Sequence, residues 1–268
     1  MIVVKAGGTV LKNNLSEIAK DAEELLYKNY KIIFVHGGGS EVTSIAQKLG
    51  QEQKFVISPE GFRSRYTDKN TMEVFNMVMS GKINKEIVSS FQSRGVKSIG
   101  ISGVDGCLLK AKRKEKMVIC DERGRKRVID AGFSGKICRV NDELLKLLIG
   151  NGYVPVISPV AIGEEFELLN VDADRAAANI AGALKADKLV LLTDVNGVIL
   201  DGKLTRTLKT SEIQNILPKI GAGMSTKVYA AAEALSLGVK EAIIASGLIE
   251  SPITCAIQHK NGTVIIHG

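Results

Sequence analysis

The chain contains no tryptophan, and aromatic residues make up only 4% of its 268 residues. The stacking platforms on which single-stranded nucleic acids are held are therefore sparse, and a nucleic-acid-binding function is not expected. Its four cysteines, Cys107, Cys120, Cys138 and Cys255, form no C-x-x-C pair and are too few for a disulfide scaffold or a zinc site. That usage points to a reducing cytoplasm. Long apolar runs are also missing: nothing approaches the roughly 20 residues that span a bilayer, and a strand-like segment, Ile2 to Lys5, follows Met1 directly. Neither a signal peptide nor a membrane anchor is expected. There is no linker-like stretch, low-complexity tract or internal repeat.

What is present is 45% hydrophobic content, enough to bury a substantial core, and a net charge of +7. The charge is concentrated. Between Lys110 and Arg127 nine Lys or Arg stand against three acids, a local excess of six.

Strand-like and helix-like segments alternate at both ends of the chain. Ile2 to Lys5 is followed by a helical period near Leu15 to Lys28, a strand over Lys31 to Val35, and a helix after Gly39. A long helix is expected from about Thr71 to Arg94. The region Ser98 to Val140 carries short β-like runs separated by Asp-Gly and Arg-Gly turns, as projecting hairpins do. The α/β rhythm then resumes: helix to Gly150, strand Tyr153 to Ile157, alanine-rich helix Asp174 to Leu184, strand Lys188 to Leu192, helix Thr226 to Leu237, and strands Ala242 to Ala245 and Thr263 to Ile266. The fold class read from this pattern is α/β, a three-layer αβα sandwich with a central, mostly parallel sheet and projecting β-hairpins. One domain over 1–268 is expected, with an N-lobe of about 1–160 and a C-lobe of about 161–268.

Five segments can carry chemistry. Lys5-Ala6-Gly7-Gly8-Thr9 closes the first strand and combines a lysine with glycine N–H groups, an anion site that is not a Walker A loop; alone it equally fits a surface lysine before a turn. His36-Gly37-Gly38-Gly39-Ser40 closes the second strand, and three glycines there suit close approach of the main chain to anionic oxygens or a plain connector. His36, without a metal-spaced partner, reads as structural. Arg65, within Gly61 to Asp68, can clamp a carboxylate bidentately or pair with Glu60 or Asp68. In Asn170-Val171-Asp172-Ala173-Asp174, either aspartate fits a helix N-cap or a holder of lysines. Finally, Gly221 to Lys227 is a glycine-rich turn opening a helix, preceded by Thr193-Asp194-Val195-Asn196-Gly197. Lys227 in the first helical turn opposes the helix dipole, which suggests a nearby ligand anion.

In order and combination these segments resemble the motif series of the N-acetylglutamate kinases, within the amino-acid kinase superfamily. The resemblance runs over essentially the whole chain. Arg63 to Lys69, Asp121 to Asp130 and Gly163 to Asp172 are more similar to the archaeal and thermophile branch that phosphorylates aminoadipate or glutamate attached to the amino-group carrier protein LysW. The resemblance implies an ATP- and Mg²⁺-dependent phosphotransferase making an acyl phosphate in lysine, and possibly arginine, biosynthesis. Lys5, Asp174 and Lys227 would be catalytic, with no protein metal ligand. Gly38, Gly39, Arg65 and Asn170 would bind substrate. Gly8, Asp194, Gly197, Lys219 and Gly221 would bind nucleotide. A cytoplasmic homodimer is implied, with an acidic carrier docking on segment 110–127.

One departure bears on the substrate: N-acetylglutamate kinases usually read Asn-x-Asn-Ala-Asp where this chain has Asp172. The alternatives are a kinase of free N-acetylglutamate in arginine biosynthesis and a non-catalytic ligand-sensing module.

Overall fold

The computed structural model of the chain describes residues 1–59 and 61–268. It begins with β1 (Ile2–Ala6), α1 (Gly8–Tyr27), β2 (Ile32–His36), α2 (Gly39–Lys48) and the short strands β3 (Phe55–Ile57) and β4 (Arg63–Arg65). A helical rod follows, made of α3 (Lys69–Asn76), a π-helical segment over Met77–Ile83, and α4 (Asn84–Gln92). The middle holds β5 (Ser98–Ser102), β6 (Leu109–Arg113), β7 (Lys116–Cys120), β8 (Lys126–Asp130), β9 (Gly135–Val140), α5 (Asp142–Gly150), β10 (Val154–Ser158), β11 (Val160–Ile162) and β12 (Leu168–Asn170). The last part contains α6 (Ala173–Ala183), β13 (Lys188–Thr193), β14 (Ile199–Leu200), β15 (Lys203–Leu204), β16 (Thr207–Lys209), α7 (Ile213–Ile216), α8 (Ala222–Ser236), β17 (Glu241–Ser246), α9 (Pro252–Ile257) and β18 (Thr263–Ile266).

Eight strands form the central sheet in the order β16-β18-β17-β13-β1-β2-β10-β5. Six run parallel, while β18 and β16 at one edge run the other way. Strands buried on both faces read as unbroken apolar runs, and β1, β2, β10 and β13 do. Side-chain alternation then sorts residues between the two helical layers. Ile2, Val4 and Ala6 of β1 share a core with Ile18 of α1, Ile87 of α4 and Ile253 of α9. Val3 joins the opposite core with Leu145 of α5, Ile180 of α6 and Val228 of α8. This is the three-layer αβα sandwich. Two smaller four-stranded sheets, β4-β3-β7-β8 and β12-β11-β6-β9, project from it.

Alternation also aims the polar residues at the strand ends. Lys5 has the parity of Val3 and turns toward α6 and α8; His36 has the parity of Ile32 and Phe34 and turns toward α4.

Several elements differ from the sequence reading, among them α8, which begins at Ala222 and not at Thr226. Helix α1 starts at Gly8, not near Leu15, because a kink at Asn14 (φ −143°) breaks the periodic pattern; Asn14 Nδ2 donates instead to the carbonyls of Gly247 (2.8 Å) and Ile249 (2.9 Å). The expected single helix from Thr71 to Arg94 contains the π-helical turn, whose extra residue periodicity cannot register. Strand β5 belongs to the central sheet, and Asp105-Gly106 is a short 3₁₀ turn feeding β6 instead of a hairpin tip.

One buried carboxylate ties the ends of the chain together. Asp21 of α1, 1% exposed, accepts the N–H groups of Ile253 (2.6 Å) and Thr254 (2.9 Å) and the Thr254 hydroxyl, capping α9 from a distant helix. Ser251, at the cap position itself, provides no side-chain cap. Truncating such a group leaves buried donors unpaired. Asp21→Ala should therefore lower unfolding free energy by about 2–4 kcal/mol in urea titration, and Asp21→Asn by less, since one acceptor oxygen survives.

Candidate functional site

The two lysines from opposite ends of the chain meet on one carboxylate. Asp174 is the second residue of α6 and is 4% exposed. Lys5 Nζ lies 2.8 Å from Asp174 Oδ1, an ion pair that misses hydrogen-bond alignment, and Lys227 Nζ donates to Oδ2 at 3.3 Å. Burial alone would raise the Asp174 carboxyl. The charges of Lys5 and Lys227 outweigh that and hold it below the usual aspartate value. Helices α6 and α8, which carry Asp174 and Lys227, are clamped by a second pair: Arg175 meets Glu233 through two hydrogen bonds of 2.8 Å. Lys227 sits in the second turn of α8, not the first, because the helix begins at Ala222.

Beside this triad lie the glycine turns. A Cβ built on Gly8 would stand 3.2 Å from Gly38 Cα, so the turns after β1 and β2 touch. A side chain at Gly8 would push the Gly38 turn back by a few tenths of an ångström. Arg65 is 8% exposed and donates to Gly39 O (2.7 Å), to Thr43 Oγ1 (2.9 Å) and to Gln53 Oε1. It makes no pair with Asp68, which instead caps α3 by accepting Thr71 N–H at 2.8 Å; Glu60 lies outside the described residues. Arg65 thus fastens β4 to the start of α2 while lining a cavity of about 390 Å³. Asn170, held by Thr67 at 2.9 Å, lines the same cavity.

Asp172, the N-cap of α6, accepts Arg175 N–H at 2.9 Å and faces this cavity. The residue is exposed, its side chain opening onto the cavity. Desolvation and then the neighbouring Asp174 push its carboxyl up. Opposite stands Lys114, whose ammonium is pushed down by desolvation and by Arg175. At Asp172, Lys114 and Ser64 the cavity joins a second of about 440 Å³, walled by Val56, Phe62, Met117 and Tyr229. Phe62 and Tyr229 meet edge to face, 5.6 Å between ring centres, so the β3–β4 hairpin touches α8 across the opening.

The structure leaves the expected nucleotide residues more dispersed. Gly8 adjoins Gly38, and Asp194 follows the last residue of β13, the strand paired with β1. Gly197 (φ +138°) packs on Thr263, where Val198 N–H donates to the Thr263 hydroxyl at 2.9 Å. Lys219 and Gly221 precede α8. None of Asp194, Gly197, Lys219 and Gly221 lines the two cavities beside the triad. Sequence reasoning passed over Lys114, Met117, Phe62 and Tyr229 as site-lining groups. Lys114 was visible only as one charge in a basic run, and the other three carry no local signal.

Comparison with known proteins shows the family and the fold. Residues 1–246 match the model of the amino acid kinase family. The LysW-aminoadipate/LysW-glutamate kinase of Sulfolobus acidocaldarius is 50% identical over 266 residues, covering 99% of this chain and 100% of that one. The kinase of the same name from Saccharolobus solfataricus is 48% identical over 269 residues and the full length of both. Among solved structures, the N-acetylglutamate synthase of Neisseria gonorrhoeae superposes over the whole chain with a TM-score of 0.82 at 22% identity, this chain spanning 59% of its length. Carbamate kinase from Giardia lamblia gives 0.70 at 19%, over 100% and 98% of the two chains. At such identities the structures share the fold.

Removing Asp174 leaves the buried Lys5 ammonium and the half-buried Lys227 ammonium without their shared carboxylate. Asp174→Ala should cost about 3–5 kcal/mol of unfolding free energy. Adding Lys5→Met to it should recover part of that loss in the same urea titration, because one uncompensated charge is gone.

Proposed function

This chain belongs to the amino acid kinase family and is an ATP-using phosphotransferase acting on a carboxylate; we propose that its acceptor is the side-chain carboxylate of aminoadipate or glutamate carried on an acidic LysW-like protein. The observation that carries this reading is the convergence of Lys5 and Lys227 on Asp174 beside the touching glycine turns and the cavity of Arg65 and Asn170. Two anions must meet in line for an acyl phosphate to form, so the protein's work is positioning and charge neutralisation. The attacking carboxylate is already ionised, and no general base is needed.

In this proposal Lys5 and Lys227 neutralise the transferring phosphoryl group from two sides, and Asp174 holds both. Gly8 and Gly38 offer N–H groups to phosphate oxygens. Gly38, Gly39, Arg65 and Asn170 hold the acceptor, and Asp194, Gly197, Lys219 and Gly221 border the nucleotide. Mg²⁺ would supply charge compensation between nucleotide phosphates. Among the described residues no three His, Cys, Asp or Glu side chains cluster as a metal cage, and Asp174 is already engaged by two lysines. In this reading the ion would be held through the nucleotide. The same reading includes an N-lobe of about 1–160 bearing substrate, a C-lobe of about 161–268 bearing nucleotide, a homodimer, a cytoplasmic setting and a part in arginine biosynthesis. Among the described residues no helix is long and apolar enough to cross a membrane.

Carrier docking on segment 110–127 takes a narrower form than the raw charge suggests. Lys112 faces Glu164, Arg127 pairs with Asp121, and Arg113 donates to Gly132 O while stacking on Phe133. Lys110, Lys116, Arg123, Arg125 and Lys126 have no carboxylate partner among the described residues. Those five, with Lys114 at the cavity, are the proposed attraction for an acidic carrier.

Three assays test the reading. Phosphoryl transfer to free N-acetylglutamate, carrier-linked glutamate and carrier-linked aminoadipate should favour the carrier-linked acceptors; activity on the free compound alone refutes the carrier. Lys227→Ala should lower kcat about 10²- to 10³-fold with the KM for ATP changed less than about threefold. Raising salt should increase the KM for carrier-linked acceptor steeply while barely moving that for ATP; equal sensitivity speaks against docking there.

A further inference from the structure

Asn84 is fully buried and opens α4 immediately after the π-helical turn. Its Nδ2 donates to Val156 O at 2.9 Å and lies 3.3 Å from His36 Nε2, while its Oδ1 accepts from Lys85 Nζ at 3.1 Å. A backbone carbonyl can only accept and an ammonium can only donate, so these two partners fix which way the amide points. With one N–H on Val156 O, the other faces His36 Nε2 and, at 3.4 Å, Ile101 O, and Nε2 can meet that N–H only as an acceptor. A neutral imidazole carries its proton on the other nitrogen, and Nδ1 lies 3.1 Å from Gly37 O. Burial, and after it the charges of Lys5 and Lys85, lower the His36 pKa to about 4 against the opposing Gly37 bond, so the ring is neutral at physiological pH.

The direction of that bond matters for the turn. In a trans peptide the C=O of one residue and the N–H of the next point opposite ways, and the chain has no cis bonds. With Gly37 O drawn to the His36 ring, Gly38 N–H faces away from it, and it has no protein acceptor among the described residues. From the other side the π-helical turn closes on the same residue: a Cβ at Gly38 would fall 2.2 Å from Ile83 Cδ1 and 2.9 Å from Met79 Sδ. One inserted residue in the helix thus lets Met79 and Ile83 press on Gly38 while Asn84 reaches His36.

We propose that Asn84 and His36 are positioning residues: Asn84 selects the His36 tautomer whose Nδ1–H clamps Gly37 O, presenting Gly38 N–H to the transferring phosphoryl group. The role of Gly38 rests on the proposed kinase function; the clamp itself does not.

The test pairs a spectroscopic with a kinetic measurement on the full chain. ¹⁵N NMR of wild-type His36 at pH 7 should show the neutral Nδ1–H tautomer, and a Nε2–H or charged ring overturns the clamp. His36→Asn puts an amide nitrogen near the Nδ1 place, whereas His36→Gln reaches toward Nε2 instead. With the carrier-linked acceptor, His36→Asn should keep kcat within about fivefold, and His36→Gln should lose about 10- to 100-fold, both with unchanged KM for ATP. Equal kcat values, or losses that follow the urea midpoints of the two variants, overturn the proposal. If either variant fails to fold, the wild-type tautomer decides. A wild-type chain that phosphorylates none of the three acceptors rejects the kinase reading, while the NMR result still judges the clamp.

Discussion

The site depends on one desolvated carboxylate held between two ammonium groups. Asp174 stays ionised in the interior because Lys5 and Lys227 stand against it, and Lys5, itself buried, depends on Asp174 in turn. That mutual requirement fixes the architecture. Lys5 must leave a central strand on the face toward α6 and α8, and α8 must cross α6 closely enough for its second turn to reach the carboxylate. The Arg175–Glu233 pair and the alanine-rich face of α6 permit that close crossing, since small side chains let helix axes approach. The triad comes from strand parity, helix packing and one interhelical ion pair.

The sheet order serves the same end. Strand β1 lies between β13 and β2, and the chain leaves β1 and β13 toward opposite sides of the sheet. A crevice opens beyond carboxyl ends where strand order diverges in this way. Gly7, Gly8 and Asp194 stand at that edge, as do the glycines after β2. The projecting sheet β4-β3-β7-β8 then walls the acceptor side, its inner face bringing Val56, Ser64, Met117 and Ile119 to the second cavity.

How much of this was legible in the sequence follows from the range of the forces involved. The αβα class was readable because buried parallel strands give continuous apolar runs; Lys5 and the glycine turns stood out as candidate anion sites, while only the motif resemblance separated Asp174 from Asp172. The kink at Asn14, the π-helical turn and the cap from Asp21 to α9 were not. Each is decided by partners more than 15 residues away, such as Gly247, Gly38 or Ile253. The same holds for Lys114. Only the fold distinguishes it from the other cations of its segment, by seating it opposite Asp172 at the junction of two cavities.

The donor capacity of the two lysines bears on how such a site works. Two cations around one anion leave a net positive charge in a place largely shielded from water, and a charge there is stabilised by any anion that arrives. Lys5 Nζ stands 2.8 Å from Asp174 Oδ1 and Lys227 Nζ 3.3 Å from Oδ2, so each ammonium spends only part of its three N–H donors on the carboxylate. The donors left over can meet a phosphoryl oxygen while Asp174 keeps each nitrogen in place. In the proposed reaction the carboxylate is thus best understood as an anchor that restrains where the lysines sit and leaves where their hydrogens point to the ligand.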